Sequence, residues 1–149
     1  MENREIYFVD DNADQRLLVR NVFKNYLPEY KIRLFDSGQA LYLHLLFISS
    51  DGYKGPLPGL LLLDLNMPGI DGYNLVKLIR KRLNSKNISW NILPIVVLTS
   101  LATNDQLNDC YEAGANSIVI KPIDVDGLRR QLELISRYWI DYNNIVTKN

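Results

Sequence analysis

Four consecutive leucines, Leu60 to Leu63, stand between Gly59 and Asp64. Four residues are too few for a helix, and an unbroken apolar run needs cover on both faces, the situation of a central strand in a parallel sheet. Parallel strands in turn require crossover connections of a dozen residues or more, ordinarily helices. The chain on either side of the leucines supplies them. Ile6 to Val9 is a short run of strand formers ending in Asp10-Asp11, and Asn12 to Asp14 offer capping side chains. Leu18, Val19, Val22, Phe23 and Tyr26 then recur at three- and four-residue spacing as a buried stripe, up to Pro28. Lys31 to Phe35 reads as a second strand. Asp36-Ser37-Gly38 opens an apolar helix from Gln39 to about Phe47, and the polar stretch Ser49 to Gly59 reads as a loop.

Beyond the turn Asn66-Met67-Pro68-Gly69, Leu75, Val76, Ile79 and Leu83 mark a third helix. Its cations Lys77, Arg80, Lys81 and Arg82 gather towards the C-terminal end, where the helix dipole favours them, and read as a solvated face. Pro94 to Thr99 is a fourth strand, and Asn104 to Ala113 a fourth helix stopped by Gly114. Ser117 to Ile120 is a fifth strand closed by Lys121-Pro122. Asp124 caps a fifth helix with Val125, Leu128, Leu132, Ile135 and Trp139 on one face. Five strand–helix units predict a doubly wound α/β sandwich around a parallel sheet, and 149 residues are the length of one domain.

Composition removes other classes. Seventeen Lys+Arg against 17 Asp+Glu give no general attraction to nucleic acid or to anionic membranes. One Cys and one His exclude an internal disulfide and a zinc site built from those residues. The acidic start, Met1 to Glu5, is unlike a leader, and no apolar run approaches the roughly 20 residues of a membrane span. A cytoplasmic protein that binds neither nucleic acid nor membrane is the expectation.

In doubly wound sheets the ligand site lies beyond the carboxyl ends of the strands, where their order reverses. Asp10 and Asp11 leave the first strand, Asp64 the third, Thr99 the fourth and Lys121 the fifth. With strand order 2-1-3-4-5 the first and third strands are neighbours, and their acids lie side by side. A pair of carboxylates about 4 Å apart costs on the order of 4 kcal/mol at an effective dielectric near 20, so a cation or protonation must relieve it. All-oxygen ligation fits Mg²⁺, with Mn²⁺ as a substitute. Three acids, one Lys and one Mg²⁺ sum to zero charge, leaving room for a compact dianion such as a phosphoryl group. Thr99 would give that group a hydrogen bond and Lys121 an ion pair. Taken singly, each acid also reads as a helix cap, Thr99 as a strand residue and Lys121 as surface.

Phe8-Val9-Asp10-Asp11-Asn12, Leu62 through Asp64-Leu65-Asn66-Met67-Pro68-Gly69-Ile70-Asp71-Gly72, Val97-Leu98-Thr99-Ser100 and Ile120-Lys121-Pro122 together closely resemble the receiver domain of two-component response regulators. The resemblance runs from Ile6 to about Trp139, and the chain is similar overall to stand-alone receivers serving bacterial phytochrome-type and other hybrid sensor kinases. It implies a flavodoxin-like (βα)5 fold of strand order 2-1-3-4-5. Asp64 would take a phosphoryl group from the phosphohistidine of a sensor histidine kinase, forming an acyl phosphate. Asp11, Asp64 and the main-chain carbonyl of Asn66 would hold Mg²⁺ directly and Asp10 through a water, while Thr99 and Lys121 stabilise the transferred group. The resemblance further implies a weak autophosphatase rather than a conventional enzyme, a cis peptide before Pro122, and tuning of the phosphoaspartate lifetime by Asn66 and Leu101. An apolar Leu101 cannot orient water, so a longer lifetime than that of Leu101→Glu is expected.

One residue departs from the pattern. Ile118 stands where receivers usually carry Tyr or Phe, and a β-branched aliphatic is stiff at χ1 and has no ring to reorient. Residues 1–149 are expected to be a single receiver, with a core of about 6–139, a C-terminal extension at 140–149 and no output domain. Signalling would then pass through protein contacts: relay to a histidine phosphotransfer protein, an effector, or a homodimer. The rival readings are a phosphatase with an aspartyl nucleophile at Asp10, a non-phosphorylated docking module, and a flavin or nucleotide carrier, which lacks a Gly-rich phosphate loop here. His44 reads as a structural helix residue and Cys110 as a packing residue. The line Leu134, Tyr138 and Tyr142 either packs on the domain or serves a homodimer.

Overall fold

The computed structural model describes residues 4–86 and 88–144; residues 1–3 of the acidic start, residue 87 and residues 145–149 of the expected extension lie outside it. The strands are β1 (Arg4–Val9), β2 (Ile32–Phe35), β3 (Leu57–Asp64), β4 (Ile95–Thr99) and β5 (Ser117–Ile120). Between and after them come α1 (Ala13–Tyr26), α2 (Gly38–Ile48), α3 (Gly72–Arg82), α4 (Asn104–Ala113) and α5 (Val125–Ser136). The strands form one sheet of order β2-β1-β3-β4-β5 with every pairing parallel.

Local chemistry accounts for the helix starts. Asn12, Ser37, Asp71, Thr103 and Asp124 each accept a hydrogen bond from the backbone N–H three residues on, satisfying a donor the helix itself cannot. At Thr103 the side chain of Gln106 answers back to form a capping box.

The period of two along the central strands sorts the core into two layers. Tyr7, Val9, Leu61, Leu63, Ile95 and Val97 face α2, α3 and α4. Their alternates Ile6, Phe8, Leu60, Leu62, Val96 and Leu98 face α1 and α5. All four leucines are fully buried, as a strand covered on both faces requires.

The structure corrects several expectations. β3 begins at Leu57, inside the stretch read as loop: Pro58 stands opposite Glu5, and the register shifts between Glu5 and Ile6. Proline is tolerated near a strand's start and at such irregularities, so it did not end the strand. Tyr26 lies on the same side of α1 as Val19, Val22 and Phe23, but as the last residue of the helix it faces solvent at 58% exposure, with the Arg129 guanidinium over its ring. Val125 is half-exposed at the first position of α5, and Trp139 is only partly buried. The last helix does not end at Trp139 but passes into a π-helical segment, Arg137–Tyr142. Ile140 packs against the α1/α5 core layer, so the expected extension is partly applied to the body.

Arg80 is the largest correction. Its guanidinium is partly buried and donates to the carbonyls of Gly114 at 3.0 Å and Leu93 at 2.8 Å, to that of Trp90, and to Asn116 Oδ1 at 2.8 Å. Only Lys77, Lys81 and Arg82 remain of the proposed solvated face. On the last helix, Leu134, Tyr138 and Tyr142 are exposed at 71%, 53% and 73%, so that line does not pack on the domain.

Candidate functional site

Strand register brings the acids together. Val9 pairs with Leu63, so the next residues, Asp10 and Asp64, emerge side by side from the two central strands. Thr99 pairs with Ile120, which puts Lys121 just beyond it. The carboxylates of Asp10, Asp11 and Asp64 each offer an oxygen within 4.8 Å of the others. Lys121 Nζ reaches both buried acids, at 3.2 Å from Asp10 Oδ2 and 3.5 Å from Asp64 Oδ1.

Each of these side chains is held in place. Asp10 Oδ1 accepts the N–H of Asn12 at 2.9 Å, and Arg16 donates to the main-chain oxygen of Asp10 at 2.8 Å. Asp64 is followed by a turn in which Gly69 has φ +76, a left-handed conformation that suits glycine. The chain then returns so closely that a Cβ on Gly72 would lie 2.6 Å from the Asp64 carbonyl oxygen. Neither Arg16 nor Gly72 was singled out as a site residue. Gly72 stood inside a recognised motif, whereas nothing in the sequence separates Arg16 from any other helix arginine.

Electrostatics at the site are dominated by burial. It pushes the Asp64 carboxyl up to about 6; Lys121 works against the rise, Asp10 adds to it, and a backbone hydrogen bond from Asn66 opposes it. One ammonium facing three carboxylates leaves the cluster two charges negative at neutral pH. The donor set is oxygen only, which fits a hard divalent cation at Asp10, Asp11 and Asp64.

Thr99 is wholly buried and is turned to its own loop. Its hydroxyl donates to the Leu101 carbonyl at 2.8 Å and accepts the Leu101 N–H at 3.3 Å. Leu101 itself is 80% exposed. Ile118 lies away from the acids, partly buried against the α2/α3/α4 layer, with its N–H donating to Tyr111 Oη at 3.2 Å. The Lys121–Pro122 peptide is not cis, as no peptide among the described residues is; trans is the form favoured even before proline, by about 0.5–1 kcal/mol.

Two other expectations concern single side chains. His44 is partly buried beside Tyr7 and Phe35, and Cys110 is fully buried among apolar neighbours. No helix among the described residues is long and apolar enough to cross a membrane.

Comparison with known proteins agrees with this geometry. Residues 6–133 match the family model described as the response regulator receiver domain. The probable methanogenesis regulatory protein FilR2 of Methanothrix harundinacea is 31% identical over 140 residues, spanning 93% of this chain and 84% of that one. Response regulator Rcp1 of Synechocystis is 28% identical over 91% of this chain and 88% of its own length. The Mn²⁺-bound structure of Rcp1 superposes with a TM-score of 0.73 at 25% identity, covering 96% of this chain and 99% of that one. The phosphorylated cyanobacterial phytochrome response regulator RcpA superposes with a TM-score of 0.78 at 21% identity over 95% and 97% of the two chains, which speaks for the fold.

Proposed function

Because the chain belongs to the response regulator receiver family, we propose that it accepts a phosphoryl group on Asp64 from the phosphohistidine of a sensor histidine kinase. The observation that carries this reading is Asp64 itself, a nearly buried carboxylate in a three-acid cluster, with the Lys121 ammonium shared between it and Asp10. An oxygen of Asp64 attacks phosphorus, the phosphorus–nitrogen bond to the donor imidazole breaks, and that electron pair returns to the imidazole nitrogen.

The chain's own residues perform the positioning. Phosphoryl transfer needs chiefly in-line placement and charge stabilisation rather than a dedicated base. Lys121 already stands within ion-pairing distance of Asp64 and is placed to follow the charge onto the phosphoryl oxygens. Thr99 must exchange its Leu101 partner for a phosphoryl oxygen, which makes the loop after β4 the first part of the fold to register the modification. The donors present fit Mg²⁺ or Mn²⁺ on Asp11, Asp64 and the Asn66 carbonyl, with Asp10 acting through water; bound there, the ion would neutralise the surplus negative charge. The Mn²⁺-bound state of the related Rcp1 supports that assignment. Hydrolysis of the acyl phosphate returns Asp64 to its free form, and the signal leaves through protein contacts, with a histidine phosphotransfer protein or an effector as the partner.

Incubation with acetyl phosphate and Mg²⁺, read by intact mass, tests the assignment. Wild type is expected to gain one phosphoryl group and Asp64→Asn none. No gain in wild type, or an equal gain in Asp64→Asn, overturns it. Phosphomonoester turnover that persists in Asp64→Asn and disappears on replacing Asp10 would instead identify the aspartyl phosphatase.

A further inference from the structure

Between Ser37 and Ser50, α2 carries no Asp, Glu, Lys or Arg. Leu41, Leu45 and Ile48 are fully buried, yet Leu43, Leu46 and Phe47, spaced by three and four residues, stand 65%, 45% and 62% exposed on its outer side. α3 runs beside it in the same direction, since both helices lead from the end of one parallel strand to the start of another. Their ends are matched. A Cβ on Gly38 would press on the Ile70 carbonyl just before α3, and Lys86 beyond α3 pairs with Asp51 beyond α2 at 3.7 Å. On α3 the Arg80 guanidinium reaches Gly114 and so marks the flank towards α4. Two residues along a helix turn by about 200°, which puts Leu78 and Arg82 on the flank towards α2. Ile70, Asn74, Lys77, Leu78, Lys81 and Arg82 line one hollow there. None of the ion pairs among the described residues uses Lys77, Lys81 or Arg82, and Lys77 lies over the Tyr73 ring. The two helices thus frame a trough with an apolar, uncharged wall on α2 and a cationic wall on α3.

We propose that this trough is a docking site for an amphipathic helix of a partner protein, one whose apolar stripe is edged on one side by carboxylates. The chemistry of the two walls selects it. The apolar stripe covers Leu43, Leu46, Phe47 and the partly buried Leu78, and a helix lying along the trough sets its carboxylate edge over α3. Lys77 and Lys81, like Leu78 and Arg82, are four residues apart, about 6 Å along the axis, so acids repeating every four residues on the partner keep step with them. A helix with cations on that edge would meet like charge, and one with no charge would cover three cations without pairing them. A bilayer fits less well. A flat anionic surface spread over α2 and α3 would also meet α4, the next helix on the same side of the sheet, where Asp105, Asp109 and Glu112 are exposed and repel it. A single helix seated between α2 and α3 lies across α3 from those acids.

The probe is a labelled synthetic helix of about 18 residues, long enough to hold its fold, with Leu repeating by three and four and Glu along one edge. Its counterpart carries Lys in place of Glu. Fluorescence anisotropy is expected to show saturable binding of the Glu peptide to wild type, weaker at about 1 M salt, where the Debye length is about 3 Å, and little binding of the Lys peptide. Lys81→Glu with Arg82→Glu is expected to weaken the Glu peptide at least about tenfold and to admit the Lys peptide. Leu43→Ser with Phe47→Ser is expected to abolish binding of both. Phosphoryl uptake from acetyl phosphate should be unchanged in each variant, so the trough and the Asp64 assignment stand or fall separately. If circular dichroism shows a variant unfolded, Lys77→Glu and Leu46→Ser carry the same test. No saturable binding of the Glu peptide to wild type, equal binding of the Lys peptide, or binding that survives in both double variants, as it would through the Leu134–Tyr138–Tyr142 line, each overturn the proposal. So does co-sedimentation with phosphatidylglycerol vesicles that is lost in the same variants, which would make a bilayer the occupant.

Discussion

His44 and Tyr7 form a polar contact inside an apolar layer. Tyr7 is fully buried and its hydroxyl lies 3.1 Å from His44 Nε2, with Phe35 against both rings. Burial, with Glu5 nearby, holds the phenol above its ordinary pKa, so at neutral pH it is protonated and can donate to a neutral imidazole. Burial also lowers the His44 pKa, and Arg33 lowers it further, against a smaller opposing effect of Glu5. The unfolded chain, with an imidazole near 6.5, therefore binds the proton more readily than the folded one. Stability from this pair is present above that value and declines as pH falls from it towards the lowered folded value. Thermal melts between pH 8 and about 5 are expected to show a downward slope in wild type that is flatter in His44→Gln; identical slopes would remove His44 as its source. The sequence showed one imidazole on an apolar helix and marked it as structural. The phenol that partners it lies 37 positions away and was invisible until strand and helix packed.

At the scale of elements, what local chemistry specifies and what packing specifies separate cleanly. Helix starts were legible because capping is a contact over three residues, as at Asn12, Ser37 and Asp124, and the stop at Gly114 follows from its φ of +118. Arg80 was misread because the groups it satisfies are carbonyls 10 to 36 residues away that become neighbours only when α3 packs against α4 and β4. It joins the loop before β4, the end of α4 and the entry to β5; Asn116, one of its partners, also accepts the Ile95 N–H at 2.8 Å. Arg80→Met leaves those acceptors, the carbonyls of the buried Trp90 and Leu93 among them, without this donor, at an expected cost of about 3 kcal/mol, or roughly 10 °C in Tm for a chain of this size. Arg80→Lys keeps the charge but not the planar fork and is expected to recover only part of the loss. A Tm within about 2 °C of wild type for Arg80→Met would show that water replaces the guanidinium there. The outer edge of β5 illustrates the same dependence on packing. Tyr111 from α4 accepts the Ile118 N–H and Gln131 from α5 donates to the Ile120 carbonyl, so helices on either side cover a strand edge that would otherwise invite pairing.

Over the whole molecule, the end of the last helix is tied to the start of the sheet. Arg4 donates to the Ile140 carbonyl at 3.0 Å, and Tyr30 donates to Asp141 Oδ2 at 2.6 Å. Arg137 bridges Glu133 at 3.0 Å and Glu29 at 3.4 Å. These exposed pairs each contribute little, but the Tyr30 hydroxyl is a short charge-assisted bond in a largely covered position. Tyr30→Phe is expected to cost about 1–2 kcal/mol. Amide hydrogen exchange should show lost protection concentrated at residues 137–144, whereas loss spread evenly over the sheet would mean that the tie stabilises the fold globally.

The sequence by itself determined the sheet, its strand–helix alternation, the two-faced burial of Leu60 to Leu63 and the acids that leave the strand ends. Those are consequences of period, capping and run length, which act over a few residues. Tertiary structure alone decided that Lys121 sits between Asp10 and Asp64, that Thr99 is engaged with Leu101, that the Arg80 guanidinium turns back onto backbone carbonyls and that Leu134, Tyr138 and Tyr142 face outward. Each depends on which groups become neighbours across tens of residues, and on burial raising the cost of leaving any of them unpaired.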